Sequence, residues 1–244
     1  MPLKVILFGG KGRMGQTLAQ LASQCEAEIV GTIDEGDTLT DDVWESAQVV
    51  IDFSFHTVTK AVLEKASQHH VPVVIGTTGH TESELAVINK TSQGLALTLA
   101  GNYSIGVNLL FHLTREAARI LPTSYAPEIT EIHHRHKQDA PSGTAKNLAE
   151  MVEGERDLPD DARIYGRSGD TGARPTNELA VHALRGGEVV GEHTVFFFGD
   201  SDRIELTHRA SDRGIFARGA FQAAHWLVGQ KAGLYSMQDV LGLR

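Results

Sequence analysis

The sequence has a single cysteine, Cys25, among its 244 residues. One thiol excludes an intrachain disulfide, and such usage fits a reducing compartment. Cys25 follows an apolar-periodic stretch and reads as structural rather than reactive. Long hydrophobic runs are also missing. The N-terminal run in "MPLKVILFGG" is far too short for a spanning helix, and no small-residue cleavage site follows it. The expectation is a soluble, cytoplasmic protein with no membrane association. Positive charge is in deficit: 22 Lys and Arg stand against 31 Asp and Glu, a formal net charge of −9. That balance argues against general nucleic-acid binding, which needs a basic face, but leaves room for a local basic pocket. No internal repeat, low-complexity segment, H-E-x-x-H pattern or cysteine pair occurs. The length allows one large domain or two modest ones and a core that needs no staples.

What is present alternates. Short runs rich in Val, Ile and Leu lie at Val5–Phe8, Glu28–Ile33, Gln48–Asp52, Pro72–Ile75 and Leu95–Leu99. Continuous apolar runs of this length suit strands buried on both faces of a parallel sheet. Helix-like segments at Arg13–Ser23, Thr57–His69 and Ser83–Thr91 separate most of them, which predicts βαβ units. The pattern changes after Ser104. A long helix should carry Leu109, Leu110, Leu113, Ala117, Ile120 and Leu121 on an apolar stripe and end at Pro122. From about 125 to 210, "LAVHALRGGEVVGEHTVFFFGDSDRIELTHRA" alternates apolar and polar residues. Gly186-Gly187 and Gly199-Asp200 read as hairpin or loop signals. This predicts an open, mixed but mainly antiparallel sheet with one wet face, covered by a helix or another subunit. A last helix near Ile215–Gln230 should return to the first domain. The fold class expected is α/β: a Rossmann-like doubly wound parallel sheet over 1–104, completed by 214–244. An α+β domain spans 105–213.

"VILFGGKGRMGQTL" satisfies G-x-G-x-x-G with Gly10, Gly12 and Gly15, and Gly9 precedes them. A strand before and a helix after raise the weight of a pattern that is weak alone. Asp34, 22 residues past Gly12, stands where a dinucleotide fingerprint places a carboxylate for the ribose hydroxyl. Glu35 follows it, so a 2′-phosphate would meet two carboxylates. NADH is therefore the preferred cofactor, with NADPH possible if Lys11 or Arg13 compensates. "IGTTG" and "LAGNYS" fall at the carboxyl ends of the fourth and fifth strands, where open α/β sheets bind ligands. Ordinary βα turns would read the same way.

"EIHHRHKQDAPSGTAKNL", residues 131–148, gathers His133, His134, His136, Arg135 and Lys137. Three readings compete: a metal site, an anion-binding catalytic site and a solvated strand. On an unbroken strand His133, Arg135 and Lys137 share one face and His134 and His136 the other. Arg135 and Lys137 are poor company for a cation, so no metal is expected. Ser142 reads as an N-cap with Gly143 and Thr144 in the first turn, a helix start offering N–H groups and hydroxyls to a carboxylate. A histidine titrates near neutral pH and is able to supply a proton. One objection is geometric. His133 and Lys137 on a straight strand would be roughly 13 Å apart, so the chain should curl near His134 if both act.

Taken in order, "FGGKGRMG", "DFS", "GTTG", "GNYSIGVN", "EIHHRHKQDAPSGTA" and "GEHTVFF" resemble the 4-hydroxy-tetrahydrodipicolinate reductase family, also called dihydrodipicolinate reductase, of lysine and diaminopimelate biosynthesis. The resemblance implies hydride reduction of a small cyclic dicarboxylate and a homotetramer built through the open sheet. It implies that Gly9, Gly10, Lys11, Gly12, Arg13 and Met14 cradle the pyrophosphate and that Asp34 meets the ribose. Gly76, Thr77, Thr78, Ala100, Gly101, Asn102 and Tyr103 would line the nicotinamide end. His133 would exchange the proton and Lys137 would be the second catalytic group, with His134, Ser142, Gly143 and Thr144 at the substrate. Glu35 departs from the family, which commonly has a basic residue there. A reductase or dehydrogenase of amino or imino acids, similar to aspartate dehydrogenase, is the alternative enzyme reading. A non-catalytic NAD(H) sensor would need neither His133 nor Lys137.

Overall fold

The computed structural model describes residues 1–159 and 161–243. The chain divides into two compact units, Met1–Ile105 with Arg213–Arg244, and Gly106–Asp212.

The first unit is a parallel sheet of β1 (Leu3–Phe8), β2 (Ala27–Ile33), β3 (Val49–Asp52), β4 (Val73–Ile75), β5 (Ala96–Leu99) and β11 (Gly233–Tyr235), in the order β11-β5-β4-β3-β1-β2. Apart from Lys4, Asp52 and Thr98, its central strands are apolar, because both faces are covered. On one face α1 (Arg13–Leu21), α7 (Gly214–Leu227) and α8 (Met237–Leu241) supply Leu18, Phe221, Leu227 and Met237 to a cluster with Val5, Leu7 and Ile51. On the other face α2 (Asp41–Ser46), α3 (His56–Gln68) and α4 (Glu82–Thr91) bury Trp44, Leu63 and Ile88 against Ile6, Val50 and Ile75. The helix α4 starts one residue before the sequence expectation because Thr81 and Glu84 form a capping box. The short elements α2, β11 and α8 had no signal strong enough to be expected.

The second unit opens with α5 (Ile105–Ile120), whose first residue belongs to the first unit. A mixed sheet follows: β6 (Ala126–His133), β7 (Arg163–Ile164), β8 (Leu179–Arg185), β9 (Gly191–Phe198) and β10 (Arg203–Ala210), ordered β10-β9-β6-β8-β7. The β10–β9 and β9–β6 ladders are antiparallel, whereas β6–β8 and β7–β8 are parallel. The helix α6 (Gly143–Arg156) covers one face, and its Ala145, Leu148, Ala149 and Val152 pack with Ile129, Val181, Val195 and Phe197. Gly199-Asp200 does join a β9–β10 hairpin. Gly186-Gly187 does not, because β6 lies between β8 and β9.

The stripe expected on α5 is rotated. Val107, Asn108, Leu110, Phe111, Thr114 and Ala118 are buried, while Leu109 (43%), Leu113 (42%) and Ile120 (66%) are exposed. Apolar residues surround much of this helix, so periodicity alone left two candidate faces. Packing against α6 and the sheet selects the one carrying Phe111 and Leu110.

Candidate active site

The glycine-rich loop leaves β1 at Phe8. Gly9 adopts φ +81°, and a Cβ there would sit 2.5 Å from the Phe53 carbonyl oxygen. Only glycine combines that dihedral with that approach. The Gly12 N–H donates to the Gly9 carbonyl at 3.1 Å, closing the turn. A Cβ on Gly15 would lie 2.1 Å from the same carbonyl, so the third glycine lets α1 close onto the loop. No side chain caps α1, and its N-cap is Gly12. The first amides of the helix thus face outward, as an anion requires. Asp34 accepts from the Lys11 N–H at 3.0 and 3.2 Å, tying the end of β2 to the loop. The Lys11 ammonium is 3.8 Å from Asp37. Arg13 and Met14 open α1, Arg13 exposed and Met14 packed on the core. A cleft of about 880 Å³ at the carboxyl ends of β1, β2 and β3 is lined by Gly9, Asp34, Glu35, Phe53, Phe55 and Lys65 among others.

The loop after β4 is held from below. Asp52, fully buried at the end of β3, accepts from Thr77 Oγ1 at 3.1 Å, Thr59 Oγ1 at 3.2 Å, and Ser54 N and Oγ at 2.9 and 2.5 Å. Thr77 is buried, Thr78 exposed, and Gly76 lies over the Phe53 ring, where a Cβ would be 2.2 Å from Cζ. After β5, Ala100 and Gly101 lead to Asn102, whose side-chain oxygen accepts from the Ser104 N–H at 2.8 Å. The Tyr103 side chain belongs to the core: its hydroxyl donates to the Ile75 carbonyl at 2.9 Å, and burial pushes its pKa up.

In the second unit β6 ends at His133, and the Lys137 N–H donates to the His134 carbonyl at 3.1 Å. The chain turns there, as the geometric objection required. The alternation that an unbroken strand would give His133, Arg135 and Lys137 therefore does not arise, since a turn has no two-residue period. The turn is anchored across the sheet: His134 N–H donates to the Val189 carbonyl (2.7 Å), Arg135 N–H to Gly187 (3.2 Å), and Gly186 N–H to His133 (3.0 Å).

The residues around His133 form a connected network. Its Nδ1 is 2.6 Å from Glu131 Oε2, and Glu131 is completely buried. Glu131 also accepts from Arg185 Nη1 and Nη2 at 2.7 and 2.8 Å and from the Ser142 N–H at 2.9 Å. Burial raises a carboxyl pKa, but the bonds from His133, Arg185 and Ser142 outweigh it and hold Glu131 down to about 2. The His193 ring lies 5.2 Å from that of His133, edge to face, and its Nε2 is 3.0 Å from Ser142 Oγ. Burial, reinforced by electrostatic interaction with the neighbouring His133, lowers the His193 pKa to about 3. Ser142 Oγ accepts from the Ala145 N–H at 3.1 Å and so caps α6. Gly143, the first helical residue, is exposed with open space where a side chain would stand, and Thr144 is half-buried. Lys137 Nζ is 2.7 Å from Asp139 Oδ1, and the Asp139 carbonyl accepts from Arg185 at 2.7 Å. His134 and His136 lie on the turn with ring centroids 6.0 Å apart.

Two family models cover nearly the whole chain. The model described as dihydrodipicolinate reductase, N-terminus, matches residues 3–103, and the one described as dihydrodipicolinate reductase, C-terminus, matches residues 106–241. The chain belongs to the dihydrodipicolinate reductase family. A 4-hydroxy-tetrahydrodipicolinate reductase of Akkermansia muciniphila is 48% identical over 99% of this chain and 98% of its own length. Its counterpart in Magnetococcus marinus is 42% identical over 100% of both. Among solved structures, a dipicolinate-bound dihydrodipicolinate reductase from Paenisporosarcina sp. TG-14 superposes with a TM-score of 0.79 at 23% identity. The match covers 98% of this chain and 99% of that one, and it is a likeness of fold.

Within this dihydrodipicolinate reductase fold, sequence reading passed over Glu131, Arg185, His193 and Asp52. Asp52 did leave a signal, an acid ending an otherwise apolar parallel strand. Glu131 also stood in view, two residues before His133 on a strand and hence on its face. Arg185 left none, and His193 stood only within the run "GEHTVFF" with no role attached, because only sheet pairing brings them near β6.

Proposed function

We propose that the chain reduces 4-hydroxy-tetrahydrodipicolinate to tetrahydrodipicolinate with NAD(P)H, in lysine and diaminopimelate biosynthesis. The observation that carries this is the His133–Glu131 pair beside the start of α6: a proton donor fixed next to an anion-accepting helix end. The Gly9–Met14 loop and Asp34 fit a dinucleotide, since the glycines leave a cradle that side chains would fill. When bound, that cofactor would supply a hydride to a carbon of the conjugated imine that forms once the 4-hydroxyl has left as water. The electron pair displaced along the ring then needs a proton, which His133 delivers from Nε2. The Lys137 ammonium offsets the developing negative charge. The α6 amides with Gly143 and Thr144 hold one carboxylate, and His134 and Lys137 attract the other.

The finer readings follow the same residues. Asp34 and Glu35 both line the cofactor cleft, which favours NADH over NADPH. Residues 1–104 with 214–244 serve as the dinucleotide domain and 105–213 as the substrate and oligomerisation domain. The uncovered sheet face exposes Leu184 and Phe198 and supports a homotetramer. Among the described residues no helix is long and apolar enough to cross a membrane. With a free Cys25, the reading is a cytoplasmic enzyme without nucleic-acid partners. The test is oxidation of NADH, followed by loss of its absorbance, with the condensation product of aspartate semialdehyde and pyruvate supplied freshly by its synthase. Turnover supports the assignment; its absence with both cofactors refutes it.

A further inference from the structure

Glu131 faces donors from three separate segments. His133 Nδ1 belongs to its own strand, Arg185 ends β8, and the Ser142 N–H begins α6. Arg185 alone would neutralise the buried charge, and Ser142 would complete a plain structural staple. The third contact is what a staple does not need. It is the shortest of the set, 2.6 Å, and it ends on the residue assigned to proton transfer.

The chemistry of that contact is restrictive. A carboxylate only accepts hydrogen bonds, so His133 must carry its hydrogen on Nδ1. The nitrogen left to gain and lose a proton is then Nε2. Nε2 makes no hydrogen bond among the described residues. It lies over Gly191, where a Cβ would stand only 3.0 Å away. The neighbouring His193 is held neutral by burial and does not compete as a proton carrier. Arg185 extends the network to the basic turn. It donates to the Asp139 carbonyl, and the Asp139 carboxylate holds the Lys137 ammonium.

We propose that Glu131 is the positioning residue of this site. It fixes His133 in the Nδ1–H tautomer with Nε2 as the exchanging atom. Through Ser142 and Arg185 it registers that nitrogen against the helix start and the lysine turn. The catalytic half of this inference rests on the reductase reading; the tautomer half does not.

The first measurement is on the intact wild-type protein without substrate. Nitrogen-15 NMR should show neutral His133 protonated on Nδ1, and Glu131→Gln, whose amide presents a donor, should move that hydrogen to Nε2. A wild-type Nε2–H tautomer overturns the proposal whatever the activity. The second is kinetic. Wild-type turnover comes first, and its absence counts against the reductase reading while the tautomer still judges Glu131. Given turnover, Glu131→Gln should lower kcat by about 100-fold, within the range of general acid catalysis, with NADH affinity unchanged. In a His133→Gln background the same change should cost less than about 3-fold, because both act through one proton transfer. Equal losses in the two backgrounds overturn the positioning role. Removing a charge beside Arg185 endangers the fold, so Glu131→Asp is the companion. It keeps the charge and retracts the oxygens; a folded Asp variant with wild-type kcat also overturns it.

Discussion

Glu131 and His133 stand two residues apart on one face of β6 and share a 2.6 Å hydrogen bond whose acceptor is wholly buried. A strand places positions i and i+2 side by side, so this contact is local in sequence. Its meaning is not, because the other donors to Glu131 arrive from residues 142 and 185. The pair ties the histidine run to a buried carboxylate with a helix start beside it. Four expectations follow for the rest of the protein.

Lys137→Ala should lower kcat/KM by about 3 kcal/mol, roughly 100-fold, since a positioned cation acts on charge that develops in the transition state. NADH affinity should stay unchanged, because the cofactor loop lies in the other unit. Steady-state kinetics with fluorescence titration of NADH checks both. Near wild-type turnover would remove Lys137 from the mechanism.

NADH should have the lower KM by about tenfold or more, because a 2′-phosphate beside Asp34 and Glu35 meets like charge at short range. Glu35→Lys should narrow the gap mainly by improving NADPH. Paired KM determinations on both proteins decide it, and a clear wild-type preference for NADPH defeats this assignment.

Gly15→Ala should abolish tight dinucleotide binding. Its new methyl would lie 2.1 Å from the Gly9 carbonyl, and that atom is backbone. Either α1 or the loop must move, at a cost of about 1–3 kcal/mol typical of overpacking. Expected are a Kd for NADH at least about tenfold weaker and a lowered melting temperature. Unaltered NADH affinity would show that the close approach is not needed.

Acid should destabilise the second unit in two stages. His193 is held down to about 3 from 6.5, so the unfolded chain takes up its proton first and stability falls as pH drops below 6.5. Glu131 is held to about 2 from 4.5, and its contribution, complete above 4.5, is lost as pH falls through that window toward 2. His193→Gln should flatten the first stage and leave the second. Denaturant melts at a series of pH values measure this; an unchanged slope below 6.5 would exclude His193 as its source.

The strand–helix alternation of the first hundred residues was legible because a doubly covered strand must be apolar on both faces, and runs such as Val5–Phe8 have few other uses. The open mixed sheet was legible from alternation for the complementary reason. The α5 face was not, since Leu109 and Leu110 are equally apolar and only the partner surface distinguishes them. The stop of β6 at His133 was required by an argument about reach, yet no local residue announced it. The bonds that bend the chain go to Val189 and Gly187, some fifty residues on.

The candidate site divides the same way. The sequence by itself determined the residue types: a glycine loop that admits close approach, an N-capped helix start, and histidine with lysine just before it. Tertiary structure alone decided which of them meet. Arg185 reaches Glu131 because β8 runs parallel to β6, pairing His133 with Arg185. His193 arrives because β9 runs antiparallel and pairs it with Glu131. Register is set by the burial of Ile129, Val181, Val195 and Phe197 beneath α6, and a one-residue slip would turn every one of these side chains to the opposite face. Core packing over the whole unit, and no pattern within residues 131–148, is what gathers one buried carboxylate, one histidine and one helix start into a single network.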